Sequence, residues 1–169
     1  ELLGYSAYIF FGGKMSANSQ SEVINNEFIF LKKLIKSNKL IIGICLGAQL
    51  IAKIYGSKIY KNKNNLVEIG YRKLDKINEK FFKNVSSMLQ FHNEGITYNP
   101  HMSIYAKGRN FEIDAFKIKK KKIYGFQFHP EVNESMIKNW YSNLSSIKKG
   151  TDSLSKIFLD HKKNCEKNY

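Results

Sequence analysis

The stretch Leu40-Ile41-Ile42-Gly43-Ile44-Cys45-Leu46-Gly47-Ala48-Gln49-Leu50-Ile51-Ala52 decides the fold of this chain. Its first five residues form a short, continuous apolar run, the pattern of a strand buried on both faces of a parallel sheet. The run passes without a break into residues 46–52, which read as a helix, and Gly56 can end that helix at its C-terminal cap. Cys45 therefore sits at a sharp strand-to-helix turn with Gly43 and Gly47 two residues to either side. Glycines there let the helix approach the strand closely, and the turn aims the sulfur at the helix N-terminus. The helix dipole and free backbone N–H groups at that end favour a thiolate over a thiol. A small apolar cysteine buried in a turn gives the same local pattern, so a nucleophile requires a partner elsewhere in the chain.

Working outward, Tyr8-Ile9-Phe10-Phe11 is another short apolar run, and it stops at Gly12-Gly13. Ser21 can cap a helix whose apolar residues Ile24, Phe28, Leu31 and Ile35 share one face. Strand, helix, strand, helix predicts a right-handed βαβ unit and an α/β domain with a mainly parallel central sheet. Beyond Lys58 the spacing shortens. Residues 66–74, 88–92, 113–118 and 123–129 read as added antiparallel strands, and residues 134–144 and 153–165 as helices. Residues 1–150 form one predicted domain, and residues 151–169 a polar helical tail.

Composition narrows the function. The chain has 169 residues, 43% of them hydrophobic and 14% aromatic, which suits a globular domain. No stretch approaches the roughly 20 apolar residues that span a bilayer, so no membrane role is expected. The net charge is +14, but the lysines are spread along the chain. Their densest run, 119–122, lies between two apolar segments as a solvated hairpin turn. No ribonucleoprotein signature or zinc spacing accompanies them, so specific nucleic-acid binding is not expected. Two cysteines, Cys45 and Cys165, make no disulfide framework, and a reducing, cytoplasmic compartment is the expectation.

The partner for Cys45 is found 84 residues downstream in Phe126-Gln127-Phe128-His129-Pro130-Glu131. In extended backbone, positions i and i+2 share a face, so Glu131 can accept the imidazole N–H of His129. Nucleophile, base and orienting carboxylate are then all present. His101, His161 and Cys165 carry no motif and are expected at the surface.

Gly43-Ile44-Cys45-Leu46-Gly47-Ala48-Gln49 together with Phe128-His129-Pro130-Glu131 resembles the class I (triad) glutamine amidotransferases. Among these it looks most like the free-standing type similar to the glutaminase domain of GMP synthetase. Residues 11–18 are similar to the family's oxyanion strand, and the likeness runs from about Tyr5 to the C-terminus. The resemblance implies a flavodoxin-like fold with a further strand, helix and strand before Glu1, on the order of 40 residues. It implies a thioester on Cys45, with His129 and Glu131 as base and orienter and the backbone N–H groups of Gly13 and Leu46 as the oxyanion hole. It places Gly12, Gln49, Glu68 and His92 around bound glutamine. It implies no cofactor and no metal, and it leaves room for a partner in the form of a separate synthetase or acceptor subunit. Lys14 stands where the family usually has proline, which leaves the strand after Gly13 less pinned and predicts an oxyanion hole that forms on activation. Two alternatives stay open: a γ-glutamyl hydrolase with the same triad, and a non-catalytic subunit that keeps the fold.

Overall fold

The structure is a computed structural model and describes residues 4–166. A six-stranded sheet forms its centre, built from β1 (Ala7–Phe10), β2 (Leu40–Ile44), β10 (Ile123–Phe126), β9 (Ala115–Ile118), β8 (Met102–Lys107) and β5 (Asp75–Lys76), in that spatial order. β1, β2 and β10 run parallel, with Phe10 opposite Gly43 and Phe126 opposite Ile44. The other neighbours are antiparallel. This is the expected α/β arrangement, a parallel unit extended by antiparallel strands.

The helix α1 (Glu22–Leu34) joins β1 to β2 and starts where the sequence predicts: Ser21 is its N-cap and accepts the backbone N–H of Ile24. Its buried residues are Ile24, Leu31 and Leu34. Phe28 and Ile35, on the predicted face, are half-buried against the same core, and the helix ends in a 3-10 turn over Ile35–Ser37. The second helix, α2 (Leu46–Ile54), is buried from Leu46 to Ala52. It packs with α1 and the sheet around Leu50, Ile51, Ile41, Phe116 and Ile123.

Two small antiparallel pairs lie beside this sheet. One is β3 (Ile59–Lys61) with β7 (Glu94–Ile96), and the other is β4 (Glu68–Lys73) with β6 (Ser87–His92). The second pair forms its own core with α3 (Glu134–Ser142) and α4 (Leu154–Glu166), around Val67, Ile69, Leu89, Ile137 and Ile157. α4 is docked rather than loose. Arg72 on β4 pairs with Asp152 at 2.7 Å and donates to the carbonyl of Gly150. His161, expected at the surface, is buried, with its Nδ1 2.6 Å from the Tyr71 hydroxyl. The polar composition of α4 conceals this, because one face carries both the apolar residues and the histidine. His101 is exposed as expected, and the Cys165 side chain lies outside the described residues.

Candidate active site

Parallel pairing closes the distance between the two halves of the site. β2 and β10 run side by side and end together, and the backbone N–H of Cys45 donates to the Phe126 carbonyl at 2.7 Å. Residues 127–129 then leave the sheet. The N–H of Gln127 goes to Asp114 and that of His129 to Leu89 on β6. This carries His129 over the turn that holds Cys45.

Cys45 has φ 48° and ψ −104°, a left-handed-side conformation that side chains other than glycine rarely adopt. Such strain persists only where the surroundings over-determine it. Here they do: a Cβ on Gly43 would lie 2.6 Å from the backbone of Gly47 and Ala48, and one on Gly47 would lie 2.2 Å from the Phe10 carbonyl oxygen. The two glycines therefore let β1, β2 and the start of α2 converge beneath the sulfur. A Cβ on Gly12 would meet the His129 ring at 2.8 Å and the Cys45 Cβ at 3.4 Å, and one on Gly13 would touch Leu46 at 3.0 Å. The Gly12-Gly13 backbone thus passes directly against Cys45, His129 and Leu46, the first residue of α2.

His129 is buried, and its Nδ1 lies 2.7 Å from Glu131 Oε1. With Nδ1 committed, Nε2 is left for Cys45. Burial is the largest influence on this imidazole and would lower its pKa. The negative charge on Cys45, a hydrogen bond to it, and the bond and charge of Glu131 together outweigh burial, and the pKa is raised to about 9. Trp140 on α3 packs edge-on against the ring with centroids 4.8 Å apart, and Phe91 packs on Trp140 in turn. No sequence motif marks Trp140 for this place, although it is the chain's one tryptophan.

Cys45 and His129 open into a cleft of about 540 Å³. Gly12, Gly13, Cys45, Leu46, Gln49, His92 and His129 all line it. Glu94 lines it too and accepts the Ser16 hydroxyl on both carboxylate oxygens, at 3.0 and 2.8 Å. Lys53 also holds the carbonyl of Ala17, and Asn18 that of Ile59. The segment after Lys14 is therefore tied down by side chains rather than by a proline ring.

Glu68 falls outside the lining residues. It stands opposite His92 in the β4–β6 register, with Oε1 accepting from Asn110 and Oε2 3.6 Å from His92 Nε2. His92 is a neutral wall here. Burial drives its pKa down to about 3, against the hydrogen bond from its Nδ1 to the Glu94 carbonyl. Its contact with Glu68 is therefore no ion pair near neutral pH. Glu68 itself is raised, chiefly by burial.

Behind this wall lies Asp114, buried, with neither carboxylate oxygen hydrogen-bonded. Burial first and the charge of Glu68 second push it up to about 8, with the Gln90 amide pulling the other way. The folded state then holds a proton that the unfolded chain releases near the ordinary value of 3.8. Stability consequently falls as pH rises from about 4 to 8 and levels off above. Asp114→Asn removes this titration. Its thermal midpoint should match the wild type near pH 4 and exceed it by on the order of 10 °C at pH 8, as thermal melts across that range would show. Parallel wild-type and variant curves would mean that Asp114 stays ionised in the fold.

The chain is similar to known proteins in both sequence and fold. Residues 1–145 match the family model described as glutamine amidotransferase class-I, and the chain belongs to that family. It is 32% identical to the GMP synthase (glutamine-hydrolyzing) of Chlamydia muridarum over 77% of its own length, and it spans 25% of that protein. It is 35% identical to a glutamine-hydrolyzing GMP synthase subunit of Pyrococcus abyssi, over 75% of this chain and 66% of that one. A glutamine amidotransferase crystal structure from Thermotoga maritima superposes with a TM-score of 0.75 at 28% identity, covering 84% of this chain and 63% of the other.

Proposed function

We propose that this chain hydrolyses the side-chain amide of L-glutamine to glutamate and ammonia through a thioester on Cys45. The observation that carries the proposal is the strained Cys45 turn set against the His129–Glu131 pair at the floor of the cleft. In the first half-reaction His129 holds the thiol proton and the sulfur attacks the carboxamide carbon, forming the S–C bond. The N–H groups of Gly13 and Leu46 receive the developing oxyanion, a contribution usually worth a few kcal/mol. Collapse breaks the C–N bond as His129 returns the proton to the leaving ammonia. In the second half-reaction water attacks the thioester carbon and gives its proton to His129. The S–C bond then breaks, glutamate leaves, and the thiol is restored.

The positions of Gly12, Gln49 and His92 on the cleft wall support them as the residues around bound glutamine, with Glu68 acting from beside His92. The Pyrococcus relative is named as one subunit of its synthase. That name favours passing ammonia to a separate synthetase subunit over releasing it to water. A cytoplasmic location fits a nucleophile that must stay reduced. No helix among the described residues is long and apolar enough to cross a membrane.

The test combines labelling and turnover. A diazo-ketone analogue of glutamine should add its mass to the Cys45 peptide, and the protein should release ammonia from glutamine, faster once a synthetase partner is added. Turnover of γ-glutamyl conjugates without turnover of free glutamine would replace this reading with a hydrolase. Labelling of Cys165 at the same rate as Cys45 would remove the activated nucleophile.

A further inference from the structure

We propose that Gln127 is a catalytic residue whose side-chain amide donates a hydrogen bond to the sulfur of Cys45, and that Gln49 is the positioning residue that orients that amide. The inference rests on reading Cys45 as the nucleophile and deepens it by naming a group besides His129 that holds the thiolate.

Three hydrogen bonds fix the direction of the chain of amides. Gln49 Nε2 lies 3.2 Å from the backbone carbonyl of Glu94. A backbone carbonyl can only accept, so the nitrogen end of the Gln49 amide must face it. The same Nε2 lies 3.2 Å from Gln127 Oε1, which places the carbonyl end of Gln127 toward Gln49. The nitrogen end of Gln127 is then turned to Cys45, with Nε2 3.6 Å from Sγ. Each amide orientation follows from the one before it, and the sequence starts at a backbone group that cannot be inverted.

The direction has a chemical consequence. An amide nitrogen accepts no hydrogen bond, so a thiol gains nothing by pointing its proton at Gln127. A thiolate gains a donor. The contact therefore favours the ionised form, and it is stronger than an exposed one would be, because Gln127 and Gln49 are 1% and 4% exposed. The backbone locks the arrangement at both ends, through Cys45 N–H to Phe126 and Gln127 N–H to Asp114. Gln49 thus has work inside the protein, facing Gln127 and Glu94, in addition to lining the cleft.

Alkylation of Cys45 by iodoacetamide, followed as a function of pH on the whole protein, reads the thiolate directly without requiring glutamine turnover. Gln127→Met keeps length and removes the donor. It should move the alkylation midpoint up by about one to two pH units, a roughly 10- to 100-fold slower reaction below the midpoint. Gln49→Met frees the Gln127 amide to turn. It should shift the midpoint in the same direction by less, and the double variant should shift no further than Gln127→Met. A midpoint unmoved in Gln127→Met overturns the proposal. Should that variant not fold, the wild-type side-chain amide resonances of Gln127 decide. They should titrate with the midpoint of alkylation, and amide protons that ignore Cys45 ionisation overturn the proposal equally. A protein that alkylates as described yet turns over no glutamine would instead count against the proposed function alone.

Discussion

Glu131→Gln is expected to lower kcat for glutamine by about 10,000-fold, the size of loss known when a triad carboxylate becomes its amide, with a thermal midpoint within a few degrees of the wild type. The glutamine side chain keeps the size and most of the hydrogen-bonding shape of glutamate. It loses the charge that, through the 2.7 Å bond from His129 Nδ1, helps hold the imidazole in its protonated form. Two defects follow from one substitution. The neutral amide can present its N–H₂ to Nδ1, which selects the tautomer that carries its proton on the wrong nitrogen. The imidazolium that must hand a proton to departing ammonia is also less stable. The second defect has its own signature in pH. In the wild type His129 loses its proton near pH 9, which sets the alkaline limb of the kcat/KM profile. Removing a negative neighbour disfavours the charged ring, so the limb moves to lower pH. A variant with near wild-type turnover and an unmoved limb would show that Trp140 and the surrounding backbone orient His129 on their own.

Local pattern carries a large part of this site. The apolar run into Cys45, the flanking glycines and the Ser21 cap are properties of adjacent residues, and each has its expected structure. His129 and Glu131 share a face for the same reason, because alternation needs only three consecutive residues. What pattern does not reveal is pairing. Residues 66–74 and 88–92 read as strands, yet nothing in either segment sets Glu68 opposite His92. That register puts the two side chains on the same side of the pair, with His92 lining the cleft and Glu68 beside it. β3, β7 and β8 are short or interrupted by polar residues, and their apolar content follows from tertiary burial rather than from a period. Residues 123–129 read as one strand, but the ladder stops at Phe126 because the next backbone donors go to Asp114 and to Leu89 of another sheet. Gln127 is within reach of sequence reasoning, since it shares alternation with His129 and Glu131. Its place beside Cys45 depends on the parallel register of two strands far apart in sequence.

The same convergence makes Gly47 a residue outside the triad whose enlargement should disturb the site directly. A Cβ there would sit 2.2 Å from the carbonyl oxygen of Phe10, 2.8 Å from its carbonyl carbon and 2.7 Å from its Cβ. All three atoms belong to β1 or are fixed to it, so no side-chain rotation relieves the clash. The helix start must move off the sheet. The Cys45 sulfur and the Leu46 N–H move with it, since both sit in the turn that begins α2. Gly47→Ala should cost about 1–3 kcal/mol as an overpacked contact, and it should cut glutamine turnover on the order of 100-fold, as misplacement by about 1 Å does elsewhere. Gly56→Ala is the matched control. Gly56 has φ +96° with nothing within 4 Å of a Cβ, so its substitution costs about 1–2 kcal/mol of backbone strain and displaces no neighbour. The two variants should melt within a few degrees of each other while their activities differ by about two orders of magnitude. Equal activity in both would mean that α2 recoils from β1 without carrying the nucleophile along, and that the geometry of the turn is set by Gly43 and the β2–β10 pairing alone.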